Sequence, residues 1–151
     1  MGIFRSKNQK ELDLALNHLN ELLIKHYQDW QNTLKLSLGA HACSQLPIER
    51  VAPAFRTMWV ECHKRALLML LDSRKNYQLV SIKTPSIDFV LSAEAYEQAT
   101  GEQMRRMGEL MGELTRETCE LNPSHRPELS NLMEEPEISK IRKEAKEQVG
   151  L

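Results

Sequence analysis

The chain has 151 residues, of which 41% are hydrophobic and 27% are charged, and its formal net charge is −1. This size and composition are typical of a folded domain and exclude a wholly disordered chain. The longest unbroken apolar run, residues 66–71, falls far short of the about 20 residues that a membrane-spanning helix needs, so the sequence predicts no transmembrane segment.

Charge is unevenly distributed along the chain. Residues 41–83 carry seven Lys or Arg and three Asp or Glu, whereas residues 84–121 carry three and eight. We expect the basic and acidic segments to attract each other where they pack together. A nucleic-acid-binding protein needs an excess of basic charge on one surface, so nucleic acid is not the expected partner.

The first predicted element is an amphipathic helix over residues 8–38. Neither Gly nor Pro interrupts this stretch, and Leu or aromatic residues recur every three or four positions. Gly39 is expected to end the helix, because glycine is the commonest residue just beyond a helix C-terminus. Residues 40–46 are then predicted to be a connection.

The second helix has two candidate starts, Pro47 and Pro53, because proline suits the first turn of a helix and breaks its interior. We expect a short turn at 47–52 and a main helix over 53–73. Residues 66–71, in the second half of this helix, are apolar on all sides of the helix and are therefore predicted to be its most buried part.

Residues 77–91 fit two interpretations. They read either as a short β-hairpin around residues 84–86 or as a connection followed by a helix, with Thr84 as the N-cap and Pro85 at the first helical position. We favour a helix over 85–91, because an isolated hairpin is only marginally stable. Residues 77–83 are predicted to be extended chain or a short strand.

The third long helix is predicted over residues 93–121. Its apolar side chains follow alternating three- and four-residue steps, which is typical of a coiled-coil seam. Gly108 and Gly112 lie one turn apart beside this seam, and each costs about 1 kcal/mol in a helix interior, which close approach of another backbone would offset. The seam belongs either to the core of the bundle or to a surface that binds a partner. For its methionines, we favour a position in the core. The seam consists of Met104, Met107, Met111, Leu114, Thr118 and Leu121.

Residues 122–151 are predicted to be a polar, Pro-containing tail that follows a bundle domain at 1–121. The tail carries a short amphipathic helix at 137–149, in which Ile138 and Ile141 begin an apolar stripe. A helix this short is unstable in isolation, so it docks on the bundle or folds on a partner. The predicted fold class is all-α, an elongated bundle of three long helices with this tail.

No catalytic, cofactor-binding or metal-binding motif is present. The three cysteines, Cys43, Cys62 and Cys119, are odd in number and have no regular spacing, which favours a reducing compartment such as the cytoplasm. Cys62 and His63 are adjacent and would point about 100° apart on a helix, so they are poorly placed to share a metal ion. We expect Cys62 in the core and His63 on the surface.

The N-terminus contains one modification motif. Residues 1–6 fit the pattern M-G-x-x-x-[ST] for N-myristoylation, which makes Gly2 a candidate lipidation site. Membrane contact is expected only if Gly2 is modified.

Together these features favour a non-enzymatic protein-interaction or adaptor protein that binds a protein partner or a second copy of itself. The alternatives are a nucleic-acid-associated regulatory protein that uses the basic segment 50–83, and an N-myristoylated peripheral membrane protein. The candidate contact residues are Met104, Met107, Gly108, Met111, Gly112, Leu114, Ile138 and Ile141.

Overall fold

The computed structural model describes residues 7–37, 39–83 and 89–151, and 91% of these residues are helical, with no strand among them. Three helices are long: α1 (Lys7–Leu36), α3 (Ile48–Lys83) and α4 (Phe89–Leu121). The shorter ones are α2 (Ala40–Gln45), α5 (Arg126–Asn131), which follows a 3₁₀ turn at Pro123–His125, and α6 (Glu137–Val149). The predicted all-α bundle of three long helices is confirmed.

The long helices form an up-down-up bundle. The ring nitrogen of His26 on α1 lies 2.7 Å from a carboxylate oxygen of Asp72, and Arg65 donates to the Thr33 hydroxyl at 3.2 Å. Because the later residue of α1 meets the earlier residue of α3, these two helices are antiparallel. α4 packs against both of them.

The core is centred on Trp30, which has no exposed surface. Its indole N–H donates to the backbone carbonyl of Met107 at 3.1 Å, which joins α1 to α4 through the middle of the bundle. The C-terminal segment contributes to the same core, because Leu129 of α5 and Ile141 of α6 are also fully buried. The amphipathic helix predicted at 137–149 is therefore docked on the bundle, while the domain boundary at residue 121 stays a prediction.

The second long helix begins earlier than predicted. The expected turn at 47–52 is wrong, because α3 starts at Ile48 and runs through Pro53. Val51 and Phe55, one turn apart on either side of the proline, are both buried in the core. Their burial favours a continuous helix and offsets the one hydrogen bond that Pro53 cannot donate.

The predicted end of that helix at residue 73 is also wrong, because residues 77–83 are helical rather than extended. Tyr77 packs edge-on against Tyr96 of α4, with ring centroids 5.3 Å apart, and the Tyr96 hydroxyl donates to Asn76 at 2.7 Å. These contacts with α4 outweigh the strand propensity of the segment. Residues 84–88, including the predicted N-cap Thr84 and the helix start at Pro85, lie outside the described residues.

The connection between α1 and α3 differs from prediction as well. α1 ends at Leu36, and Gly39 is not its C-terminal stop but precedes α2 with an ordinary φ of −73°. Residues 40–45, predicted as a connection, form α2, which buries Cys43. α2 is fixed to the far end of α4, because the Asn122 side chain donates to the backbone carbonyl of Ser44 at 2.9 Å.

Candidate interaction surfaces

The methionine seam of α4 lies inside the bundle. Met107 and Met111 have no exposed surface, and Met104 and Leu114 are half-buried against the core. A partner that approaches the folded chain cannot reach Met107 or Met111 without opening the helices. These side chains therefore hold the bundle together.

Gly108 and Gly112 lie on the flank of α4, half-buried, and not at a close helix crossing. A Cβ atom built on either glycine meets no neighbouring atom within 4 Å. The expected close approach of another backbone is therefore wrong for the described residues. No close contact with the described residues offsets the conformational cost of these two glycines.

We expect Gly108→Ala and Gly112→Ala each to raise the free energy of unfolding by about 0.5–1 kcal/mol, because alanine restricts the unfolded chain and fits without a clash. Urea unfolding followed by far-UV circular dichroism measures the change. Gly150→Ala is the control with the opposite sign, since Gly150 has a φ of +89° at the end of α6, where alanine is strained by about 1–2 kcal/mol. A loss of stability at position 108 or 112 would contradict the open space seen there.

The C-terminal helix α6 docks on the first half of α3. Ile141 and Ala145 are fully buried, and the guanidinium of Arg56 on α3 pairs with the carboxylate of Glu144 at 2.6 Å. Ile138 is half-buried at the same interface. The two isoleucines nominated as contact residues thus make their contacts within the chain.

His63 lies under α6 and not on the open surface, so the predicted exposure is wrong. Its ring is 6.3 Å from the Trp59 ring, centroid to centroid. Burial, and secondarily the charge of Arg142, lower the pKa of His63 below its ordinary value. The imidazole is therefore neutral at neutral pH, and its protonation opposes the docking of α6.

We expect His63 to make the protein less stable in mild acid. The unfolded chain keeps the ordinary histidine pKa of about 6.5, so below that pH it binds a proton more readily than the folded chain does, and the folded state is disfavoured. The stability of the wild type relative to His63→Gln should be constant above pH about 7 and fall as the pH is lowered towards 5. Equilibrium unfolding across this range measures the difference, and a difference independent of pH would contradict the assignment.

The apolar run at 66–71 is less buried than its sequence predicts. Met69 is fully buried, but Leu68 is 38% exposed and Leu67, Leu70 and Leu71 are only half-buried. α1 and α4 pack on two sides of α3, and α6 covers only its first half. The remaining side of the second half of α3 is left without a covering element among the described residues.

We call this region the α3 outer face and define it by Leu68, Leu71, Lys75 and Leu79. The spacing of three, four and four residues places these side chains on one side of the helix. Leu79 is 49% exposed and Lys75 is exposed. The surface thus carries three leucines and one lysine over about 16 Å, or three helical turns.

The basic charge of α3 is not neutralised by α4. Among the described residues, no ion pair joins these two helices, and the acidic side chains of α4 pair along their own helix, as Glu102 and Glu109 do with Arg105. Neither Arg74 nor Lys75 has a carboxylate partner in the described part of the chain. The expected charge pairing between the basic and acidic segments is therefore absent here.

A groove between α3 and α4 lies on the side of α3 that faces α4. It has a volume of about 340 Å³, and its floor is formed by Leu70, Tyr96 and the hydrogen-bonded pair Ser73 and Thr100. Arg74 of α3 and Glu97 of α4 line it as well, and both are exposed.

The cysteines are buried and protonated. Burial raises the pKa of Cys62 to about 12 and raises those of Cys43 and Cys119 as well. Such thiols are poor nucleophiles, because the thiolate is the reactive form. Within the described ranges, no three His, Cys, Asp or Glu side chains come together in a way that could hold a metal ion.

Comparison with known proteins assigns neither a family nor a function to this chain. No protein-family model, no curated protein and no solved structure matches this chain. None of the described helices is both long enough and apolar enough to span a membrane. Gly2, the candidate lipidation site, lies outside the described residues, so its modification stays a prediction.

Proposed function

We propose that this chain is a non-enzymatic protein-interaction module, and that it binds an acidic amphipathic helix of another protein on the α3 outer face. The observation that carries the proposal is the incomplete burial of Leu68 and Leu79 on a helix that is otherwise packed into the bundle. Clustered exposed leucines on a folded monomer are typical of a contact surface.

The docking of α6 supports a helical partner. On the first half of α3, α6 buries Ile141 and Ala145 and pairs Glu144 with Arg56. The second half of α3 offers the same chemistry, with half-buried leucines and with Arg74 and Lys75, which have no carboxylate partner within the described ranges. A helix of about three turns with leucines on one side and carboxylates along its edge would match it.

Charge favours a different protein over a second copy. A two-fold dimer centred on the α3 outer face would bring the Lys75 side chains of the two chains close together, because Lys75 lies near the middle of that face. Like charges across an interface oppose association, whereas carboxylates at these positions would favour it and speed encounter. The partner is therefore expected to be acidic where it meets α3.

The two alternatives, a nucleic-acid-associated protein and a peripheral membrane protein, have less support. Three basic residues of segment 50–83 are engaged within the chain, Arg56 with Glu144, Lys64 with Glu61 and Arg65 with Thr33. Leucines interleaved with the remaining charges suit a protein partner better than a lipid surface, for which the basic residues would flank the apolar stripe. Three buried free cysteines are compatible with the proposed cytoplasmic location.

The test is capture of partners on the immobilised chain, followed by titration calorimetry with the purified components. Leu68→Glu combined with Leu79→Glu should raise the Kd by at least about tenfold, because it places negative charge at both ends of the contact, against a partner that is itself acidic. Leu14→Glu is the matched control, since Leu14 is 68% exposed and belongs to α1 rather than to α3. This control should bind as the wild type does.

Two results would contradict the proposal. One is a purified partner that binds the double variant and the wild type equally well. The other is a wild-type dimer in light scattering that the double variant converts to a monomer, which would make a second copy the occupant of the α3 outer face.

A further inference from the structure

One pair of residue types occurs twice on the same side of α3. Arg56 is followed three residues later by Trp59, and Arg74 is followed three residues later by Tyr77. The two pairs are 18 residues apart, which is five turns of an α-helix at about 3.6 residues per turn. Both pairs therefore face in the same direction, about 27 Å apart along the helix axis.

The C-terminal helix α6 occupies the first pair. The carboxylate of Glu144 lies 2.6 Å from the guanidinium of Arg56, and Trp59 lines a small cavity together with Ile138 and Ile141 of α6. On α6, an aliphatic residue is thus followed three positions later by a glutamate, and this spacing matches the arginine and the aromatic residue on α3.

The second pair lies in the groove between α3 and α4, which no residue of α6 lines. Arg74 and Tyr77 line this groove together with Leu70, on successive turns of α3. Leu70 and Tyr77 are half-buried, and Arg74 is exposed and has no carboxylate partner within the described ranges. The groove therefore repeats the apolar surface and the arginine on which α6 docks, and no described helix covers it.

The α4 side of the groove is acidic. Glu97 lines it, is exposed and takes part in no ion pair among the described residues. A helix in the groove is favoured if it carries a carboxylate on the side of Arg74 and a basic residue on the side of Glu97. A uniformly acidic helix suits the α3 outer face but not this groove, so the two surfaces select different partners.

We propose that the groove is a second docking site, which binds an amphipathic helix of another protein in the way that α3 binds α6. An aliphatic side chain of that helix lies on Tyr77, and a glutamate three residues later pairs with Arg74. The site goes beyond the proposed function, because none of the four residues that define the α3 outer face lines the groove. A second copy of this chain is not the expected occupant, since its own Ile141 is already buried against its own α3.

The experiment uses a stabilised α6 peptide as the probe, because α6 carries the required spacing. The peptide has the sequence of residues 137–149, and a hydrocarbon cross-link between positions 139 and 143, both exposed in the chain, holds a helix that is too short to persist alone. It is titrated into the ¹⁵N-labelled full chain. The backbone amide signals of Tyr77 and Tyr96 should shift saturably, while the indole N–H signal of Trp59 stays in place. If the Trp59 signal shifts and the two tyrosine signals do not, the peptide replaces α6 and the proposal is overturned.

A charge exchange tests the pairing at Arg74. Arg74→Glu should weaken the peptide about fivefold, because it opposes the glutamate at position 144. A Glu144→Lys peptide should bind the wild-type chain about fivefold more weakly, and it should bind the Arg74→Glu chain to within about twofold of the original pair. Lys75→Glu is the matched control, since it makes the same change of charge one residue away, on the α3 outer face. This control should bind the original peptide to within about twofold of the wild type.

Three further results would overturn the proposal. They are the absence of saturable shifts at Tyr77 and Tyr96, equal binding of the peptide by Arg74→Glu and Lys75→Glu, and no recovery of binding with the exchanged pair. The indole signal of Trp30, which is bonded to Met107 in the core, checks that each variant is folded. The Glu144→Lys peptide tests the pairing on the wild type even if Arg74→Glu does not fold. The chain with both Leu68→Glu and Leu79→Glu should bind the peptide as the wild type does, so that failure of this site and failure of the proposed function are distinguishable.

Discussion

Replacing Trp30 with alanine is expected to lower the free energy of unfolding by about 3–5 kcal/mol, the largest loss that we expect from a single substitution in this chain. Trp30 is fully buried and donates to the carbonyl of Met107. Alanine would leave a large cavity where α1 meets α4, and it would remove the hydrogen bond between them. Urea unfolding followed by far-UV circular dichroism measures the loss.

Two further substitutions separate the loss of apolar volume from the loss of the hydrogen bond and provide a surface control. Trp30→Phe keeps most of the apolar volume but lacks the indole N–H, so its loss should be smaller than that of Trp30→Ala. Leu14→Ala on the exposed side of α1 should change stability by less than about 0.5 kcal/mol. A loss below about 1 kcal/mol for Trp30→Ala would show that Trp30 is not the centre of the core.

The second large effect is expected at Ile141, which fixes α6 to α3. Ile141→Ala should cost about 2–5 kcal/mol, because the side chain is fully buried and an alanine leaves a cavity under the helix. Since α6 is too short to persist alone, the weakened helix should also detach from the bundle more often. We expect faster cleavage of residues 132–151 by a protease in limited digestion, alongside lower stability in urea.

Lys140→Ala is the matched control for Ile141. Lys140 is exposed, and its only described ion pair is with Glu137 on the same helix, at 3.4 Å. Such a surface pair contributes at most about 0.5 kcal/mol, so this variant should resist the protease as the wild type does. If Ile141→Ala and Lys140→Ala were digested at the same rate, the docking of α6 seen in the structure would be wrong.

The burial of apolar side chains agrees with the sequence on α4, where core was favoured for the methionines, and differs from it on α3. The methionine seam of α4, a candidate contact surface, is the interior of the bundle, as the burial of Met107 and Met111 shows. The leucine run of α3, expected to be the most buried segment, carries Leu68 at the surface. Periodicity identifies an apolar side of a helix, but it does not say how many neighbours cover that side.

Several features of the molecule follow from the sequence by itself. The absence of Gly and Pro over residues 8–38, together with regular apolar spacing, predicted α1 to within two residues at each end. The stripe that begins with Ile138 and Ile141 gave the bounds of α6, residues 137–149, correctly. These are local properties, because each depends on the spacing of side chains along one helix.

Tertiary contacts decided the rest. Residues 77–83 have strand-forming side chains, yet they are helical because Asn76 and Tyr77 pack on Tyr96, twenty residues further along the chain. Pro53 lies within a helix because residues on both sides of it are buried. The sequence by itself determined the fold class and the three long amphipathic helices. Only the packing of α6 over half of α3 decided which leucines stay exposed, because that depends on how far one helix reaches along another.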